Sequence, residues 1–130
     1  MRYLRHRLGR LAMISFVVVA GCSRGHAETG EEFRPDPIPI HVRNENFLDM
    51  NVSVVVNSVS RRLGTVTGNS AADFKIAWSV ANGQPMTIIA TPIGGRGIAS
   101  SGALSVGVGQ MIEFKIGSTL RQSVGTVREP

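Results

Sequence analysis

The residues of this 130-residue chain that could carry chemistry are few, and each suggests one reaction type that can be checked against its neighbours. His41 lies between Ile40 and Val42 in an alternating run, so it faces solvent opposite an apolar row. As a general base it would need a nucleophile and an orienting acid, and the sequence designates neither. A nucleophile elbow requires G-x-S-x-G at a strand-to-helix turn. The stretch GNSAA from Gly68 comes nearest, but it lacks the second glycine and a following helix. In NENFLD, Asn44, Asn46 and Asp49 offer oxygens that could converge on calcium. The alternating carboxylates and bidentate glutamate of a calcium loop are missing, and an Asx-rich connection between strands needs the same residues. GGRG from Gly94 has neither the lysine nor the Ser/Thr of a phosphate-binding loop, so it reads as a tight turn. His26 has no companion at ligand spacing. No catalytic residue, metal site or cofactor is therefore expected. The single thiol, Cys22, directly follows an apolar run, and that position decides its chemistry.

The elements that would position these residues are strands. Ile38, Ile40 and Val42 share one face of IPIHVRN, and Val52, Val54 and Val56 share one face of NVSVVVN, with Val55 opposite. RRLGTVTG, ADFKIAW, PMTIIATPI, GALSVGV and QMIEFKIG follow, with SVGTVR as a final weak candidate. Period-two patterning broken by turn residues about every ten positions predicts an all-β fold. Asn82-Gly83 reads as a two-residue hairpin, and Gly68-Asn69, Gly94-Gly95 and Gly107-Val108-Gly109 mark further turns. The expected architecture is a single small antiparallel β-sandwich of about seven strands, immunoglobulin-like or transthyretin-like, over residues 38–130. One cysteine rules out the inter-sheet disulfide of antibody domains.

Upstream of the strands the composition changes. Arg2, Arg5, Arg7 and Arg10 form a basic start, LAMISFVVVA is a ten-residue apolar stretch, and Ala20-Gly21 supply small residues before Cys22. This is the layout of a cleaved secretory signal over residues 1–21. Ten residues rise only about 15 Å as a helix, against a bilayer core of about 30 Å, so a permanent span is not expected. Val19-Ala20-Gly21-Cys22 resembles the lipobox of bacterial lipoproteins: an aliphatic residue, a small residue, Gly or Ala, then cysteine. The common form has Leu where this chain has Val19. The resemblance implies that Val19, Ala20 and Gly21 are read by the signal peptidase and that cleavage follows Gly21. It also implies that Cys22 takes a diacylglycerol thioether and becomes the new N-terminus, usually acylated in turn. Two or three acyl chains hold a protein at a membrane where one is marginal. By the same resemblance, Ser23 is permissive for the outer membrane, facing the periplasm. Residues 22–37 are polar, aperiodic and closed by Pro35 and Pro37, the composition of a flexible tether with a reach of roughly 20 Å.

Charge supports this division. The formal net charge of +5 would suggest an anionic partner, yet four of fourteen basic residues precede Cys22 and all nine acidic residues follow it. Beyond residue 21 the balance is ten basic to nine acidic. Arg61-Arg62 is the only basic doublet beyond residue 21, and the aromatics after the signal are Phe33, Phe47, Phe74, Trp78 and Phe114. A nucleic-acid role, which needs a basic groove with stacking rings, is not expected. What remains is a lipid-anchored interaction or structural module of the cell envelope, attached to the membrane through Cys22 and meeting an envelope protein partner. The alternatives are a small-ligand or carbohydrate binder, which would gather aromatics on one face, and an envelope hydrolase, which would need the missing acid, base and nucleophile. Specificity is expected on loops, where NENFLD and IGGRG place Phe47 and Arg96.

Overall fold

The computed structural model describes residues 35–130. Eight strands form two four-stranded sheets: β1 (Ile38–Asn44), β2 (Met50–Val56), β3 (Val59–Val66), β4 (Ala71–Ile76), β5 (Met86–Pro92), β6 (Ala99–Leu104), β7 (Met111–Ile116) and β8 (Val124–Arg128). One sheet has the order β4-β1-β7-β8 and the other β3-β2-β5-β6. The expected all-β sandwich is what forms, and the weak eighth candidate is a full strand. Every pairing is antiparallel except β1 with β7, which run parallel with Ile40 opposite Ile112. An immunoglobulin constant domain pairs its first strand with its second. Here the first strand instead lies between the fourth and the seventh, in the sheet opposite the second.

The alternation read from the sequence explains the core. Ile38, Ile40 and Val42 on β1 face Met50, Val52, Val54 and Val56 on β2, and Ile112, Phe114 and Ile116 on β7 complete the layer with Met86, Ile88 and Ala90 on β5. All are buried. One side of the sandwich is closed by Phe74 of β4, whose ring lies over Gly64 of β3. A Cβ at that glycine would meet Phe74 Cε1 at 2.7 Å.

The register fixes the ends. β1 begins at the end where β4 finishes, since Ile38 pairs with Ile76, and β8 finishes there too, with Arg128 opposite Met111 at the start of β7. Ile38 and Arg128 therefore share one end of the sandwich. At the other lie the loops 45–49, 67–70, 93–98 and 117–123.

Two connections differ from expectation. Asn82-Gly83 is not a hairpin: it follows a single helical turn, α1 (Trp78–Ala81), on the crossing between sheets. Asn82 is left-handed (φ 45°) and returns its N–H to Trp78 O at 2.7 Å as a helix cap. The tight two-residue hairpin is Asn57-Ser58, with φ of 48° and 65°. The sixth strand begins earlier than GALSVGV suggests. Its start, Ala99-Ser100-Ser101, is made of small residues with little strand propensity. A register shift between Thr87 and Ile89 is closed by Ser101, whose Oγ accepts from Ile88 N–H (2.8 Å) and donates to Gly102 O (2.8 Å). No helix among the described residues is long and apolar enough to cross a membrane.

Candidate functional site

The loop end is organised by two buried asparagines. Asn44 closes β1 with its side chain on the core side, 1% exposed, where an unpaired amide would be costly. Its Nδ2 donates to Leu48 O (2.8 Å) and Thr67 O (3.1 Å), and its Oδ1 accepts from Asn46 N–H (3.0 Å). Asn46, also buried, donates from Nδ2 to Ser118 O (2.7 Å) and accepts Leu48 N–H on Oδ1 (3.0 Å). Asp49 Oδ1 accepts Gly68 N–H at 2.9 Å. The residues that could have held calcium instead bind backbone.

These bonds fasten four loops together. Asn69 N–H reaches Asn46 O (2.9 Å) and Ile93 N–H reaches Asp49 O (2.8 Å). Gly95 lies against Leu48, and Gly97 lies near Leu120. Gly68 packs beneath the Phe47 backbone so closely that a Cβ would sit 2.1 Å from Phe47 O. On this fixed base the Phe47 ring is 77% exposed. Ile93, Ile98 and Val124 are exposed at the same end, so four of the six exposed large hydrophobics among the described residues gather there. Arg96, also exposed, is carried by the 93–98 loop. The structure thus brings the loops of Phe47 and Arg96 to one end and into mutual contact. Trp78 lies at the opposite end, half-buried against the core, so the two aromatics do not share a face.

His41 has the partner that the sequence did not mark. β1 and β4 pair in register, setting His41 opposite Asp73, and Nδ1–H donates to Asp73 Oδ1 at 2.6 Å. A carboxylate ion can only accept, so this bond places the Nδ1 proton. Strand register, invisible in a single sequence, was the signal needed. A histidine and an acid that could orient it are paired here, and the hydroxyl of the GNSAA stretch does not join them. Ser70 lies three residues before Asp73, about 10 Å along an extended strand, and its hydroxyl donates to Thr67 O (2.8 Å). Ion pairs also lie on this outer sheet face: Arg128 with Glu113 (2.6 Å), and Lys115 (3.1 Å) and Arg43 (3.5 Å) with Glu45. On the other sheet, Arg62 of the edge strand β3 is held by Asn51 (2.9 Å) and Thr65 (3.0 Å), which keeps it on the sheet face. No cluster of three or more His, Cys, Asp or Glu residues able to hold a metal occurs among the described residues.

Val19, Ala20, Gly21 and Cys22, together with His26 and Phe33, lie outside the described residues. No protein-family model matches the chain, and no curated protein matches it. Among solved structures the chain is similar to a protein from Eubacterium rectale determined by NMR, at 16% identity and a TM-score of 0.45, covering 80% of this chain and 96% of that one. It is also similar to part of a protein described as a Gram-negative toxin, at 14% identity and a TM-score of 0.41, covering 72% of this chain but only 23% of the other.

Proposed function

We propose that this protein is a lipoprotein of the bacterial cell envelope, anchored through Cys22 in the outer membrane facing the periplasm, whose β-sandwich is a non-catalytic interaction module. The observation that carries the reading of the domain is the braced loop: an aromatic ring is held out to solvent by a backbone with almost no freedom to withdraw it. A preorganised loop loses little conformational entropy when a partner covers it, and an aromatic anchor beside an arginine is the composition of an interface hot spot. The chain enters the sandwich at the opposite end, through Pro35–Pro37 into Ile38. An anchor at Cys22 with a tether over residues 22–37 would therefore leave Phe47 and Arg96 directed away from the membrane. The anchor itself rests on the order and spacing of basic start, apolar stretch and lipobox. A carbohydrate or small-ligand binder is less well supported, because Phe47 and Trp78 stand at opposite ends instead of forming a platform.

One experiment tests both halves. Intact cells expressing the wild type, Cys22→Ala and a Phe47→Ala/Arg96→Ala double variant are treated with a crosslinker and fractionated. The wild type should sediment with membranes, its N-terminal peptide starting at a lipid-modified Cys22 by mass spectrometry, and should crosslink to a defined envelope protein. Cys22→Ala should leave the lipidated membrane form entirely. The double variant should stay anchored, since exposed positions change stability by only about 0.5 kcal/mol, but lose the crosslink. An unmodified N-terminal peptide beginning elsewhere would overturn the anchor, and undiminished capture by the double variant would remove the loop end as the interface.

A further inference from the structure

Beside the loop end, on the outer face of the β4-β1-β7-β8 sheet, is an open cleft of about 510 Å³ lined by His41, Arg43, Glu45, Asn69, Ser70 and Ala71, with Asn44 at its base. Register explains why a hollow forms here. Arg43 on β1 faces Ala71 on β4, so one side of the pair carries only a methyl group, where the next pair on the same face, His41 with Asp73, carries two longer side chains. Below it, the Asp73 bond fixes the His41 ring as a wall. Above it, Asn69 is held in the left-handed region (φ 53°) by its bond to Asn46 O and stands at the rim.

We propose that this hollow is a binding site for an oxyanion, either a carboxylate or a phosphate group. Arg43 is the residue that selects the charge. Its Nε faces Glu45 at 3.5 Å, and its terminal nitrogens have no protein acceptor among the described residues. A guanidinium presents such nitrogens as a planar fork that matches two oxygens of one anion. Glu45 does not cancel this charge, because its second oxygen is engaged by Lys115 Nζ at 3.1 Å, leaving two cations to one anion at that rim. Asn69, exposed at the rim, adds a residue with a neutral amide to the same lining. What sets Arg43 apart is the hollow: it is the one Lys or Arg among the lining residues, whereas Arg128, beside Glu113, and Arg62, held by Asn51 and Thr65, lie outside it. The site does not depend on the interface reading of Phe47.

The test is a titration of the detergent-solubilised full chain, ¹⁵N-labelled, with sodium acetate and separately with inorganic phosphate at constant ionic strength. Amide shifts should saturate in the millimolar range and be confined to His41, Arg43, Asn69, Ser70 and Ala71. Saturation by acetate alone assigns a carboxylate, such as a side chain or chain terminus; saturation by phosphate alone assigns a phosphoryl group; either result supports the site. Arg43→Gln should weaken binding by about fivefold or more, the loss of one charge-assisted fork. Ala71→Leu, at an exposed position that tolerates bulk, should abolish saturation by filling the hollow. Arg61→Gln, on the other sheet, should change nothing. Shifts that never saturate and spread equally over Lys75, Arg61 and Arg128 would overturn the proposal, as would wild-type binding by Arg43→Gln.

Discussion

Replacing Asn44 with alanine should lower the stability of the domain by about 3 kcal/mol. Asn44 is an asparagine at the last inward position of β1, and its side chain meets loop backbone where its strand-mates meet apolar side chains. The substitution removes the bonds that Nδ2 donates to Leu48 O, Thr67 O and, at 3.4 Å, Val66 O, and one accepted bond, from Asn46 N–H. Each bond contributes about 1 kcal/mol net. A buried polar group left without a partner costs about 1–3 kcal/mol more, and relaxation of the loop toward water recovers part of that. Urea unfolding followed by circular dichroism is the measurement, with a fall in midpoint and an unchanged slope marking a true stability loss. A change below about 1 kcal/mol would mean that the bracket does not hold the loop end together.

Gly68→Ala should have an effect of similar size by a different route, about 2–3 kcal/mol of overpacking. The new Cβ would lie 2.1 Å from Phe47 O and 2.6 Å from Phe47 C, and both are backbone atoms that no rotamer change can move. Either the 67–70 turn or the 45–49 loop must shift, breaking the Gly68 N–H bond to Asp49. Amide shifts should therefore appear across Glu45 to Asp49, although the changed residue is about twenty positions away in sequence. Loss of partner crosslinking in this variant, with the Phe47 side chain intact, would separate the placement of the ring from its presence. Wild-type stability with unmoved Glu45–Asp49 amides would show that the close approach is relieved without cost and that the loop is not rigidly seated.

The strands were legible because burial in a sandwich writes itself into the sequence at period two. Ile38, Ile40 and Val42, or Ile112, Phe114 and Ile116, need no partner to be recognised as one face. What one strand pairs with leaves no such trace. The parallel contact of β1 with β7, and the pairing that sets His41 against Asp73, depend on residues more than thirty positions apart. Asn82-Gly83 misled for a related reason. Its preference for the left-handed region is genuine, with φ of 45° and 71°, but a helix cap uses that preference as readily as a hairpin does. The actual hairpin at Asn57-Ser58 lacks the glycine that makes such turns conspicuous. At the loop end, the polar composition of NENFLD was visible, whereas the division into two buried brackets and one displayed ring came only from knowing which way β1 ends.

The placement of β1 in the middle of its sheet has a mechanical consequence. It is the strand that receives the chain from Pro37, and it is hydrogen-bonded along both edges, to β4 and to β7. Tension between an anchor upstream of Ile38 and a load gripping the far loops would run along the axis of β1. The ladder bonds to β4 lie across that axis, so they would be strained together in shear instead of opening one after another. A pull of that direction meets the sandwich in its most resistant orientation, whereas a pull on edge strand β8 across its length would peel one ladder bond by bond.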